Sequence, residues 1–156
     1  MTRVKGFTLV ELMVIVALVA IMAAIAVPSF TDFMKKNEVQ AAADDITSLL
    51  QFARTQAINT RSSVTVTKDT TNHKWVVTVR SVESRVLSYN PAKVYFDNDL
   101  TSNKLTFNPY GAADKLSKIT ICSQDKDKDN GYLLEVKRSG RLALSGRGGA
   151  PGGCQA

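Results

Sequence analysis

Between positions 7 and 30 the chain reads FTLVELMVIVALVAIMAAIAVPSF, an apolar run broken by one acid, Glu11. A run of this length predicts a helix able to cross the hydrocarbon core of a bilayer. Pro28 removes one backbone donor, but helical periodicity resumes beyond it, so a kink rather than a stop is expected. From position 29 onward Phe33, Val39, Ala42, Ala43, Ile46, Leu49, Leu50, Ala53, Ala57 and Ile58 recur at steps of three and four. Lys35, Lys36, Glu38, Asp44, Asp45, Arg54 and Arg61 fill the other faces, so this second half is amphipathic and should lay one side on a domain. Together the halves predict one helix from position 7 to about 60, near 80 Å long at 1.5 Å per residue.

After Asn59 the period changes. Positions 63–68 and 74–80 are rich in β-branched residues and flank the polar stretch Asp69-Thr70-Thr71-Asn72-His73, which predicts a hairpin. Further strands are expected at 85–89, 93–96, 104–107, 118–123, 132–137 and 141–144. Asn90-Pro91, Asp97-Asn98-Asp99 and Asn108-Pro109-Tyr110-Gly111 supply turns between them. The class implied is α+β: a long N-terminal helix, half membrane and half amphipathic, packed on an antiparallel β-sheet domain.

The 156 residues carry 20 basic and 14 acidic side chains. About 125 residues follow the membrane-length run, enough for one modest domain with its own core. Arg3 and Lys5 precede the run and match the basic flank that stays cytoplasmic. The run is too long for an ordinary secretory signal, and no small-x-small cleavage site follows it. A carboxylate inside such a run is costly in lipid and calls for a partner. No nucleophile elbow, phosphate loop or zinc motif is present, so the chain reads as a non-enzyme with no cofactor. His73 lies in a polar hairpin loop with no nucleophile to serve, and Trp75 and Phe107 read as core. For Tyr89, Tyr95, Tyr110 and Tyr132 nothing in the sequence separates subunit contact from packing.

Lys5-Gly6-Phe7-Thr8-Leu9-Val10-Glu11 resembles the leader and helix start of type IV pilins and type II secretion pseudopilins. The resemblance implies that a prepilin peptidase cuts between Gly6 and Phe7 and that the new Phe7 amine is methylated. The segments implied are a leader at 1–6, a membrane and assembly half at 7–28, an amphipathic half at 29–61, and a β-rich domain with a basic tail at 62–156. Without Arg3 and Lys5 the mature balance is 18 − 14 = +4. Glu11 takes the family position whose carboxylate meets a neighbour's N-terminal amine. In low dielectric that pair attracts strongly, whereas each charge alone is heavily penalised. Ala57-Ile58-Asn59-Thr60-Arg61, the strand Ile119-Thr120-Ile121-Cys122 and the segment 136–142 are most similar to the GspH/FimT/FimU minor subunits. Partners implied are other major and minor pilins, the peptidase and the inner membrane. The domain is expected in the periplasm before assembly, then in an extracellular pilus or a periplasmic pseudopilus.

Export by such a leader places Cys122 and Cys154 where disulfides persist, and a bond between them is expected. Two free thiols or a metal pair are the alternatives, the latter disfavoured by a single histidine and no Cys-x-x-Cys spacing. The C-terminal segment carries Lys137, Arg138, Arg141 and Arg147 with no acid among many glycines. Such a segment suits double-stranded DNA phosphates. FimT-type pilins bind DNA for natural transformation through Gly-Arg-x-Arg; here Gly140-Arg141-Leu142 matches its start, but Ala143 replaces the second arginine. The competing reading is a surface tail of solvated charges. Asp125, Asp127 and Asp129 before Asn130-Gly131 resemble a calcium loop, as in some pseudopilins. The sixth position is Asn130 instead of glycine and the twelfth Val136 instead of glutamate, so a solvated turn is the better reading.

Overall fold

The computed structural model describes residues 7–98, 100, 103–124, 131–146 and 154. The chain divides into two compact units, Met1–Met34 and Lys35–Ala156. Helix α1 (Leu9–Thr60) contributes to both, with Pro28 inside it.

Both ends of α1 are capped. Glu11 N donates to Thr8 Oγ1 at 3.2 Å, which makes Thr8 the N-cap. At the other end Arg61 adopts φ 49°, Ser62 N donates to Ala57 O and Arg61 N to Ile58 O, both at 3.3 Å. That is a Schellman motif with arginine where glycine is usual. Arg80 Nη2 covers the carbonyl of Thr60 at 2.9 Å.

In the second unit α1 buries Val39, Ala43, Ile46, Leu50, Ala53 and Ala57, alternating steps of four and three, together with Leu49. The sequence pattern put Phe33 and Ile58 on the same stripe. Both are exposed, at 58% and 46%. Phe33 lies in the first unit, and Ile58 sits one position past the stripe, beside Gly111.

Eight strands follow: β1 (Val64–Asp69), β2 (Lys74–Val79), β3 (Val82–Ser88), β4 (Val94–Asn98), β5 (Lys104–Phe107), β6 (Ser117–Ser123), β7 (Tyr132–Val136) and β8 (Leu142–Ser145). They form two antiparallel sheets ordered β3-β2-β1-β5 and β4-β6-β7-β8. Alternation directs Val64, Val66, Trp75, Val77, Leu105 and Phe107 of the first sheet, and Phe96, Ile119, Ile121, Leu134 and Val136 of the second, into one core with the helix stripe. Register aligns these side chains in rows, such as Leu105–Val66–Val77 and Phe96–Ile121. Trp75 and Phe96 meet edge to face with centroids 6.0 Å apart. Lys68 Nζ reaches from β1 to the Phe96 carbonyl at 2.6 Å.

β3 begins three residues before the expected position 85. The two-residue turn ahead of it, Arg80-Ser81, has φ 49° and 66°. Left-handed pairs of this kind normally carry Asn-Gly, so no turn signal is visible at Arg80-Ser81.

Candidate functional site

In the first unit the apolar side chains of α1 are exposed, and the stretch is long and apolar enough to cross a membrane. Phe7 lies just before the helix and is exposed. Gly6 lies outside the described residues. Glu11 falls in the first turn of α1. Thr8 and Glu11 have the Thr-x-x-Glu spacing of a capping box, and one of its two bonds is formed. An acid there also complements the positive end of the helix dipole. The bond formed uses the Glu11 backbone, so Thr8 is the capping side chain and the Glu11 carboxylate acts there through the helix dipole.

Cys122 and Cys154 are disulfide-bonded with Cα atoms 5.9 Å apart, and both are buried. The bond ties position 154 to β6.

At one end of the second unit two tight turns lock together. In the first, Asn108 accepts on Oδ1 from Tyr110 N and Ala112 N, both at 3.0 Å, and on O from Gly111 N at 2.8 Å. In the second, Gly140 N donates to Lys137 O at 2.8 Å and Lys137 N to Arg141 O at 2.9 Å. Ala113 N donates to Arg138 O at 3.0 Å, and Arg54 Nε reaches from α1 to Gly111 O at 3.0 Å. The turns approach so closely that a Cβ on Gly140 would lie 1.8 Å from Gly111 O.

Lys137, Arg138 and Arg141 are all exposed at this end. Beside them the first turn holds Tyr110 out into solvent at 90% exposure. Of the four tyrosines it is the one for which packing is excluded, and the sequence offered no way to single it out. Arg147, and the aspartates Asp125, Asp127 and Asp129 weighed for calcium, lie outside the described residues.

Residues 42–140 match the family model described as Type II transport protein GspH, and residues 1–27 match the prokaryotic N-terminal methylation motif. The chain is 29% identical over 139 residues to a fimbrial protein of Moraxella nonliquefaciens, covering 89% of each chain. It is 44% identical over 45 residues to a fimbrial protein of Pseudomonas aeruginosa, a match spanning only 29% of either chain. Among solved structures, the type IV minor pilin FimU of Pseudomonas aeruginosa superposes with a TM-score of 0.64 at 22% identity, covering 72% of this chain and 92% of that one. The minor pseudopilin EpsH of the Vibrio cholerae type 2 secretion system gives 0.58 at 14% identity, covering 70% and 97%. At these identities the two structures speak for the fold alone.

Proposed function

The chain belongs to the GspH family, and on that premise we propose that it is a minor pilin of a type IV pilus, priming or capping assembly near the tip. The observation that carries this reading is the exposed apolar first half of α1 with a single acid, Glu11, in its first turn. In this reading a peptidase cuts after Gly6, and the Phe7 amine is methylated. The apolar surface of residues 7–27 then passes from lipid to a filament core, so its burial is conserved and the exchange is reversible. Glu11 meets a neighbour's N-terminal amine and sets axial register.

The capping box dictates how to test this. Glu11→Gln keeps the capping-box spacing but removes the charge. Both Glu11→Gln and Glu11→Ala are expected to be lost from sheared filaments while still accumulating in the membrane. Co-assembly of Glu11→Gln at wild-type levels would sink the pairing. A deletion that abolishes pili and twitching supports the pilus, whereas one that abolishes exoprotein secretion makes the chain a minor pseudopilin.

A second reading, capture of double-stranded DNA, is favoured by the clustering of Lys137, Arg138 and Arg141 beside the exposed Tyr110. Cations and a phenol hydroxyl both suit phosphate oxygens. Its test is a salt titration of DNA binding by the full chain beside an Arg138/Arg141/Arg147→Ala variant. Loss of three phosphate contacts should lower the slope of log K against log salt by about 2.7. Binding that is unchanged in the variant removes this reading.

A further inference from the structure

In the second unit, strand β4 and the loop after β3 face the tip of the β1–β2 hairpin across a cleft of about 420 Å³. That volume falls within the ~300–1,000 Å³ typical of small-molecule sites. Four aromatic rings line it: His73, Tyr89, Tyr95 and Phe96. His73 and Tyr89 stand edge to face at 5.8 Å, and Tyr89 packs in the same way on Phe96 at 4.7 Å, so this wall is braced from behind. Tyr95 is 40% exposed. Burial, then the nearby Asp69 and Tyr95, push the Tyr89 phenol above its ordinary range, which keeps it a neutral hydroxyl.

The polar lining consists mainly of neutral amides and hydroxyls. Asn103 and Gln124 bring side-chain amides and Thr70 a hydroxyl. Asn103 and His73 both hold left-handed backbone, with φ 53° and 49°. Asparagine and histidine are among the non-glycine residues that tolerate that conformation, and both line the cleft. Among the described residues of the lining the two charges are Lys68 and Asp97. Lys68 is already engaged by the Phe96 carbonyl at 2.6 Å and stands 5.9 Å over Trp75, and Asp97 lies within its electrostatic reach. The pair therefore cancels, and among the described residues of the lining an anionic ligand finds no uncommitted cation. Among the described residues no cluster of His, Cys, Asp or Glu is suited to a metal ion.

Ring faces combined with planar amides and a neutral balance match one ligand chemistry: a hydroxyl-rich ring with an apolar face. We propose that this cleft is a binding site for a neutral saccharide, stacked on Tyr95 and Tyr89 and hydrogen-bonded by Asn103 and Gln124. It uses neither Glu11 nor the basic end, so it stands independently of the assembly and DNA readings.

Trp75 is the single tryptophan and packs against Lys68 and Phe96, both of which line the cleft. Its emission therefore reports occupancy. The full chain, held in lauryldimethylamine oxide micelles to avoid sugar-headed detergent, is titrated with maltotriose, cellotriose and tri-N-acetylchitotriose. Titration to about 10 mM detects a Kd as weak as about 1 mM. At least one trisaccharide should give a saturable change, weakened tenfold or more in Tyr95→Ala and in Gln124→Ala. Gln124 is exposed, so Gln124→Ala should leave the thermal midpoint unmoved and shows that lost binding is not lost folding, and Tyr110→Ala should bind as wild type. No saturable response to any of the three overturns the proposal. So does wild-type binding by both cleft variants, or a response to sulfated dextran fragments without one to the neutral sugars.

Discussion

Replacing Gly140 with alanine should destabilise the second unit more than the same substitution at Gly111 or Gly146. Its φ is 76°, and a non-glycine residue held there loses about 1–2 kcal/mol. The new Cβ would lie 1.8 Å from Gly111 O and 3.0 Å from Gly111 C. These are backbone atoms, so one of the two turns must move. Moving it stretches Arg54 Nε→Gly111 O and Ala113 N→Arg138 O, each 3.0 Å in the wild type. At about 1 kcal/mol for the neutral bond and about 1.5 for the one from a guanidinium, the loss totals about 4 kcal/mol. A less flexible unfolded chain returns about 0.4–1, leaving a net loss near 3 kcal/mol.

Two other glycines calibrate that figure. Gly111 has φ 77°, but its Cβ would meet Ile58 Cδ1 at 2.7 Å, the end of a side chain 46% exposed that can swing aside. Gly111→Ala should therefore cost about 1–2 kcal/mol, mostly from the backbone. At Gly146 nothing lies within 4 Å, and alanine there should be neutral or gain up to about 1 kcal/mol. Urea unfolding of the full chain, followed by Trp75 fluorescence, ranks the three. A Gly140→Ala midpoint within error of wild type, or below it by no more than Gly146→Ala, refutes the reasoning. The outcome also bears on DNA. Gly140 begins the Gly-Arg match, and a packing role predicts that its alanine variant loses DNA only as far as it loses structure.

Reduction of Cys122–Cys154, which closes a 32-residue loop, should remove about 3.7 kcal/mol on the chain-entropy expression; dithiothreitol should lower the wild-type urea midpoint but leave that of Cys154→Ser unmoved. Burial holds the Lys68 ammonium below its ordinary 10.5, with Asp97 partly opposing. Between its folded pKa and 10.5 the unfolded state binds more protons, so the penalty is complete below that window and relieved as pH rises through it. Wild type should gain stability on the alkaline side, and Lys68→Met should lack that gain; parallel midpoints across the window would count against it. The Asp69 carboxyl is held below 3.8 first by the Asn72 side chain, then by backbone amides. Its contribution is present above 3.8 and lost as pH falls through the lower folded value, and Asn72→Ala should shift that acid loss upward in a pH-resolved melt.

Local chemistry was legible in the chain, whereas chemistry assembled across the chain was not. The buried stripe of α1 and the β1–β2 hairpin follow from periods of 3.6 and 2, which every residue in the element repeats. Where a single unusual residue carried the geometry, the pattern failed. Arg80-Ser81 makes a left-handed turn without glycine or asparagine, so the start of β3 was hidden. The division into two sheets depends on which strands pair, and Val94↔Ser123 or Thr67↔Lys104 leave no mark on either segment alone. The basic residues 137, 138 and 141 could be read directly, but their neighbour Tyr110 comes from a turn more than 25 positions earlier. Gly140 was visible as part of a motif, while its reason, the Gly111 carbonyl, was not.

The two proposed roles draw on different surfaces, and their composition shows why they can coexist. The solvent side of α1 in the second unit presents Asn37, Gln40, Asp44, Ser48, Gln51, Thr55 and Asn59, all exposed at steps of three and four. Asp44 is the one charge in that stripe. Amides and hydroxyls cost far less to desolvate than ammonium or guanidinium groups and can bond again across a contact. Such a face suits burial against sister subunits and subsequent release. Lys137, Arg138 and Arg141 are expensive to bury unpaired, and they are suited to a partner that supplies the opposite charge. Charge reversal at Arg138 and Arg141 therefore strikes the polyanion role while leaving the polar stripe, and Glu11 with it, free to direct assembly.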